Sequence, residues 1–176
     1  MEPTSIPDGD GAYISADGRH RLWLRRQLDP LYGGDRVLWV MCNPSTATAE
    51  TDDATVRKVR GFSSRWGAGA VTIVNLWTYP ATDPDDLLET QHPLNHADAD
   101  DVIATIEADY VVVAWGSIAT KVPGYHDRVR ELWAGPLDFG SFGVYCLGTN
   151  ADGSPRHPAR LGYDTPLKPW TPGGAP

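Results

Sequence analysis

Arg36-Val-Leu-Trp-Val-Met-Cys-Asn-Pro-Ser-Thr46 is the stretch that decides the fold. Residues 36–42 are almost continuously apolar, the pattern of a strand covered on both faces rather than one alternating between core and water. The run stops at Asn43-Pro44-Ser45-Thr46, which is turn chemistry. Three similar runs follow at residues 70–77, 110–115 and 142–147. Between the first two, residues 52–66 read as a helix, with Asp52 or Asp53 as cap and Val56, Val59, Phe62 and Ser63 at helical spacing. Gly67 would end it. Residues 80–94 form a Pro-rich loop, residues 95–108 predict an acidic helix, and another helix falls within 117–134, interrupted near Pro123-Gly124. Upstream, residues 12–16 and 20–27 flank Asp17-Gly18, a strong hairpin signal. Strand–helix alternation of this kind implies right-handed crossovers and a parallel sheet with helices on both faces. The expected fold is α/β: a three-layer α/β/α sandwich with a four-stranded parallel sheet plus an N-terminal β-hairpin.

The 176 residues fit one domain. Residues 1–11 read as a flexible arm, 12–168 as a single α/β domain and 169–176 as a flexible tail. A chain that is 41% hydrophobic with seven Trp and seven Tyr has ample material for a core without disulfides. No apolar run approaches the ~18 residues of a membrane span, and the first residues lack the segments of a signal peptide. Two cysteines, Cys42 and Cys146, are too few for a four-cysteine zinc or iron–sulfur site. The expectation is a cytoplasmic protein with reduced thiols, no cofactor, no metal and no membrane partner.

The net charge of −8 is local in origin. Residues 83–109 hold nine Asp or Glu and no Lys or Arg, and the remainder is close to neutral. That balance argues against a coat protein for nucleic acid, which needs a broad basic face. An enzyme gripping a few phosphates at one mouth stays compatible with it.

Ligands of open α/β sheets bind beyond the carboxyl ends of the strands, and the polar segments of this chain fall there. Asn43 leaves the first apolar strand. Asn75 interrupts Val71-Thr-Ile-Val-Asn75-Leu-Trp77, and a buried carboxamide must find partners or cost roughly 1–3 kcal/mol. Such an amide either pins a neighbouring loop or reads the edge of a nucleobase with its coplanar donors and acceptor. The loop from Gly148 to Pro158 delivers His157, a placed donor or general acid. Arg156 and Arg160 are phosphate contacts or ordinary surface charge. Asp52 and Asp53 are helix-capping residues, a water-activating base, or with Asp152 and His157 a hard-metal site. Cys42 reads as a small buried hydrophobe rather than a nucleophile. Phe62, Trp77 and Trp115 are core residues, with stacking on a base as the secondary reading for one of them.

Two resemblances attach to these residues. Met41-Cys-Asn43-Pro44-Ser45-Thr46-Ala47, Asp52-Asp53-x-Thr55, Val74-Asn75-Leu76, Ala81-Thr82-Asp83-Pro84, Ala114-Trp115-Gly116 and Gly153-Ser154-Pro155-Arg156-His157-Pro158 together resemble the bacterial and phage family catalogued as domain of unknown function 1643. More distantly, the same landmarks in the same order resemble the uracil-DNA glycosylase superfamily. Cys42-Asn43-Pro44-Ser45 is similar to the Gly-x-Asn-Pro-Gly of its mismatch-specific branch, with Cys42 replacing a glycine. Asn75 matches the Asn that ends the second core strand, Trp115-Gly116 the pair that ends the third, and His157-Pro158-Ala159 the second catalytic motif.

The second resemblance implies an N-glycosidase, a hydrolase acting on DNA or a modified nucleotide. Asn43 would orient the attacking water and His157 would donate to the departing base. Asn75 would read the base, Phe62 or Trp77 would stack on it, and Thr46, Ser154, Arg156 and Arg160 would meet phosphates. Ser45 stands where uracil-specific branches carry a bulky aromatic, so a 5-substituted pyrimidine is the expected base. The rivals are a non-catalytic module binding a modified base or nucleotide, and a metal-dependent nucleotide-processing enzyme using Asp52 or Asp53.

Overall fold

The computed structural model describes residues 6, 8–31, 33–81, 85–137 and 143–172. Most of the expected arm, the end of the tail, Phe142 and the Thr82-Asp83-Pro84 part of one motif lie outside the described residues.

The central strand is β3 (Asp35–Met41). Its side chains alternate between two separate cores. Val37, Trp39 and Met41 pack on one face with Val56, Val59 and Phe62 of helix α1 (Ala54–Arg65). Leu38 and Val40 pack on the other with Val102 and Ile103 of α3 (Ala99–Ala104) and Leu132 of α4 (Tyr125–Ala134). Each of these side chains gains about 1.5–3 kcal/mol from burial, so a strand offering apolar groups to both faces fits only the middle of such a sheet.

The two neighbours of β3 are β4 (Ala68–Asn75) and β5 (Tyr110–Val113), both parallel to it. Strand β6 (Gly143–Cys146) lies parallel beyond β5. Four adjacent parallel strands are present, but the sheet is larger than the sequence suggested. It has seven strands in the order β1-β2-β4-β3-β5-β6-β7. The hairpin of β1 (Gly11–Ile14) and β2 (Arg21–Gln27) is not an appendage: β2 pairs antiparallel with β4 and extends the sheet. At the other edge the two-residue β7 (Lys168–Pro169) pairs antiparallel with β6. The hairpin docks because Leu22, Trp23 and Leu24 supply apolar area to both cores.

The helices differ in extent. Residues 80–94, read as loop, contain the short α2 (Asp86–Glu89), held by buried Leu87. The acidic helix spans six residues rather than fourteen. Pro123-Gly124 separates a 3₁₀ segment, Ser117–Lys121, from α4, and Gly124 takes a left-handed φ of 81°.

Asp53, not Asp52, caps α1: its side chain accepts from the Val56 N–H at 2.8 Å. Asp52 does structural work beside it. Its oxygens meet Arg26 Nε at 2.7 Å and Arg60 Nη1 at 2.6 Å, while Arg26, 1% exposed, donates onward to the carbonyls of Thr48 and Arg25. Burial alone would raise the Asp52 carboxyl, but the two guanidinium groups outweigh it and hold the carboxyl below its usual value. A carboxylate with a depressed pKa contributes stability above its unfolded value and loses it as pH falls through the folded one. Asp52→Asn, which leaves buried Arg26 only the looser contact with Asp10 at 3.9 Å, is expected to cost roughly 3 kcal/mol at pH 7. In urea denaturation series the gap between wild type and variant should close as pH drops below about 4; a gap independent of pH would refute the ion-pair account.

Candidate functional site

The four parallel strands end on one edge of the sheet, and a cavity of about 510 Å³ opens there. Met41, Ile73 and Val56 from the α1-side core form part of its wall. Strand order fixes the sequence of polar groups across it. Arg21 comes from β2, Asn75 from β4, Asn43 from the exit of β3, Gly116 from beyond β5, and Arg156 and His157 from the loop after β6.

Asn75 is the most consequential member. It ends β4 at 1% exposure, and among the described residues neither its Nδ2 nor its Oδ1 has a hydrogen-bond partner. The strand around it is fixed. Leu76 N–H bonds to Met41 O at 2.9 Å and Trp77 N–H to Cys42 O at 3.1 Å. Arg128, braced on Asp100, donates to the Leu76 carbonyl at 2.7 Å. The amide is therefore held rigidly in the cavity floor with its own polar valence unspent. Buried polar groups are nearly always paired, and this one, among the described residues, is doubly unpaired at the wall of the cavity.

Asn43 is oriented the opposite way. Its Nδ2 donates to the carbonyls of Pro44 at 2.9 Å and Ala81 at 2.8 Å, which leaves Oδ1 as an acceptor with no partner among the described residues. Ser45 donates its hydroxyl to Asp53, and the other Asp53 oxygen caps α1. Ser45, Asp53 and Thr55 all line the cavity.

The loop bearing His157 is built from its own polar residues. Ser154 is buried and bonds to Asp152 and Asn150, while Thr149 and Pro155 form an isolated bridge. Gly116 N–H donates to Pro155 O at 2.9 Å. A Cβ on Gly116, whose φ is 77°, would stand 3.1 Å from the His157 Cβ, so glycine is what lets this loop close on β5. Below it, Lys58 of α1 donates to Leu161 O at 2.7 Å and lies over the Tyr163 ring. His157 Nδ1 accepts from the Ala159 N–H at 3.2 Å, which places the ring proton on Nε2. Burial holds the imidazole below its ordinary pKa, against the opposing charge of Asp53. At pH 7 it is a neutral donor.

Asn43, Ser45, Asp53, Asn75, Arg156, His157 and Arg160 thus share one cavity. Other residues singled out in the sequence lie elsewhere. Phe62 and Trp77 are sealed in the two cores, 0% and 3% exposed, and do not line it. Apolar demand on both sheet faces consumed them. Thr46 is exposed outside the wall and Ser154 is turned into its own loop. Asp52 is committed to Arg26 and Arg60. Cys42 is buried, and burial pushes its thiol up to about 12, so it is no nucleophile. Among the described residues no three His, Cys, Asp or Glu side chains converge as metal ligands.

Arg21 was missed. It lines the cavity at 4% exposure, and its signal was a charge at the first position of a strand otherwise rich in Leu and Trp. With Arg156 and Arg160 it gives a wall that, among the described residues, is richer in cationic than acidic side chains, on a protein of net charge −8.

The family model described as protein of unknown function (DUF1643) matches residues 19–159, and the chain belongs to that family. The match takes in every cavity-lining residue except Arg160 and Leu161. No curated protein and no solved structure matches the chain.

An amide that is buried and unpaired lowers stability, and replacing it by an apolar side chain of similar size removes that cost. Asn75→Leu is expected to stabilise the free protein by about 1–2 kcal/mol, measured by urea denaturation. Destabilisation by a similar amount would mean that the amide is satisfied within the fold.

Proposed function

We propose that the protein is an N-glycosidase of the uracil-DNA glycosylase type, releasing a 5-substituted pyrimidine from DNA or a nucleotide. The observation that carries this reading is the orphaned Asn75 carboxamide in the cavity floor. A pyrimidine edge with adjacent N–H and carbonyl groups satisfies both of its atoms at once. A site built to hydrogen-bond in this way rejects ligands that lack the matching groups.

The chemistry is hydrolysis of the bond between the sugar C1′ and the base nitrogen. As that bond breaks, its electron pair leaves with the base and positive charge develops at C1′. Asn43 Oδ1, fixed by the two bonds its Nδ2 makes, accepts from a water and holds it for attack on C1′. The water oxygen becomes the new hydroxyl on C1′, and its released proton balances the base anion. His157 Nε2–H donates to a base oxygen as negative charge accumulates, and being neutral beforehand it is not tied to a ground-state anion. Arg156 and Arg160, exposed and without ion-pair partners among the described residues, suit the phosphates flanking the reacting nucleotide. Duplex DNA would be read with the nucleotide flipped into the cavity.

A second reading is a module that binds a modified base without cleaving it. It is favoured by Asp53, the one carboxylate on the wall among the described residues, whose two oxygens are occupied by Ser45 and the α1 cap. An amide activates water less strongly than a carboxylate.

Release of free base from labelled oligonucleotides and nucleosides separates the two. The expected outcome is release from 5-substituted substrates, reduced about a hundredfold or more by Asn43→Ala and by His157→Ala. Ser45→Tyr should lose bulky substrates while keeping plain uracil. Binding without release supports the module, and neither binding nor release from any pyrimidine substrate would end the base-site reading.

A further inference from the structure

Four arginines are nine-tenths buried or more: Arg21, Arg25, Arg26 and Arg128. Arg26 rests on Asp52 and Arg128 on Asp100. Arg25, further along β2, has an Nε without a partner and no ion pair among the described residues, with the charge of Asp8 opposing its burial, but it stands away from the cavity. Arg21 carries the same deficit at the cavity itself. Its Nη1 donates to the Ala47 carbonyl at 2.7 Å, and among the described residues its Nε has no partner and no carboxylate stands within ion-pair distance of it. Burial draws its guanidinium down to about 10, opposed by the more distant charge of Asp53, so it keeps its proton at pH 7. Removing a cation from water without a counter-ion is costly, and this one lines the cavity.

Its place across the sheet says which part of a ligand it would meet. Strand β2 adjoins β4, so Arg21 lies beside Asn75, while His157 packs against Gly116 at the exit of β5, three strand spacings from β2. At about 4.8 Å per spacing, the two ends of the cavity are clearly separate. His157, Arg156 and Arg160 occupy the end assigned to sugar, phosphate and the glycosidic bond. Arg21 occupies the opposite end, and the carbonyl it grips belongs to Ala47, two residues after Ser45. On the base-site reading, Ser45, its hydroxyl donated to Asp53, is the position beside which a substituent on the base would lie.

We infer that Arg21 and Ser45 form a subsite for an anionic substituent on the pyrimidine, a carboxylate or a phosphate ester carried at the base edge remote from the sugar. This inference rests on the reading of the cavity as a base site and goes beyond it in specifying the charge of the substituent. A bound anion gives the guanidinium its missing counter-charge, and charge-assisted hydrogen bonds of this kind are about twice as strong as neutral ones. A neutral substituent of the same shape leaves the cation buried and unpaired.

The test is calorimetric titration at pH 7 with 5-carboxy-2′-deoxyuridine and its 5-carboxamide, which match in shape and differ in charge. Wild type is expected to bind the carboxylate at least about tenfold more tightly. Arg21→Gln should abolish that preference, leaving carboxamide affinity within about twofold, and Arg21→Lys should keep part of it. Asn75→Ala should weaken both ligands alike. The wild-type comparison needs no variant, so it stands even if Arg21→Gln folds poorly through loss of the Ala47 contact. Equal wild-type affinity for the two nucleosides overturns the subsite. If Asn75→Ala still weakens both in that case, the base site survives without it. Binding of neither nucleoside overturns both. Arg21-dependent binding of inorganic phosphate, with no preference among the nucleosides, also overturns the subsite and assigns the guanidinium to a phosphate alone.

Discussion

Burial of β3 on both faces is the constraint from which the rest of the architecture follows. A strand whose alternate side chains enter two cores must have a strand on either side and a helical layer above and below. Helix α1 supplies one layer, and α3 and α4 supply the other. Parallel neighbours then place their carboxyl ends together, because crossover helices return the chain to the same starting edge. Asn43, Asn75 and Gly116 meet at one edge through this geometry, although 73 positions separate the first from the last.

The same constraint explains why the site is held stiffly. Backbone bonds tie the exit of β4 to the exit of β3, and Gly116 is tied to Pro155 ahead of His157. Two buried arginines act as braces outside the cavity. Arg128 links α4, α3 and the Leu76 carbonyl, and Arg26 links β2 to the segment leading into α1. Each is paired with a carboxylate. Among the buried polar atoms left unpaired in the described residues, those of Asn75 and Arg21 are the ones that belong to the cavity wall. Proteins retain such costs where a ligand repays them.

Much of this was legible in the chain. The apolar runs locate the four parallel strands, Asp17-Gly18 locates the hairpin, and the rule that ligands bind beyond strand ends puts Asn43, Asn75 and His157 at one edge. Other features were not legible, for physical reasons. The docking of β2 onto β4 is a long-range pairing that local pattern does not encode, and it is what carries Arg21 to the cavity. Phe62 and Trp77 looked available for stacking because an aromatic side chain reads the same in a core as on a wall. Asp52 and Asp53 were indistinguishable until the cap geometry gave one to the helix and the other to Arg26. Ser154 looked like a ligand contact, yet its hydroxyl is needed to fold the loop that presents His157.

The central claim is that the Asn75 amide is the base-reading group, and side-chain amide resonances report on it directly. A ¹H–¹⁵N titration with 2′-deoxyuridine and its 5-substituted analogues would follow the Asn75 Nδ2 protons, with Asn95 as an internal control. Asn95 Oδ1 accepts from the Thr78 backbone N–H at 3.0 Å, away from the cavity. The expected result is a saturable shift of the Asn75 pair with slowed hydrogen exchange, while the Asn95 pair stays in place. An Asn75 pair that does not move at ligand concentrations saturating the protein would contradict the claim.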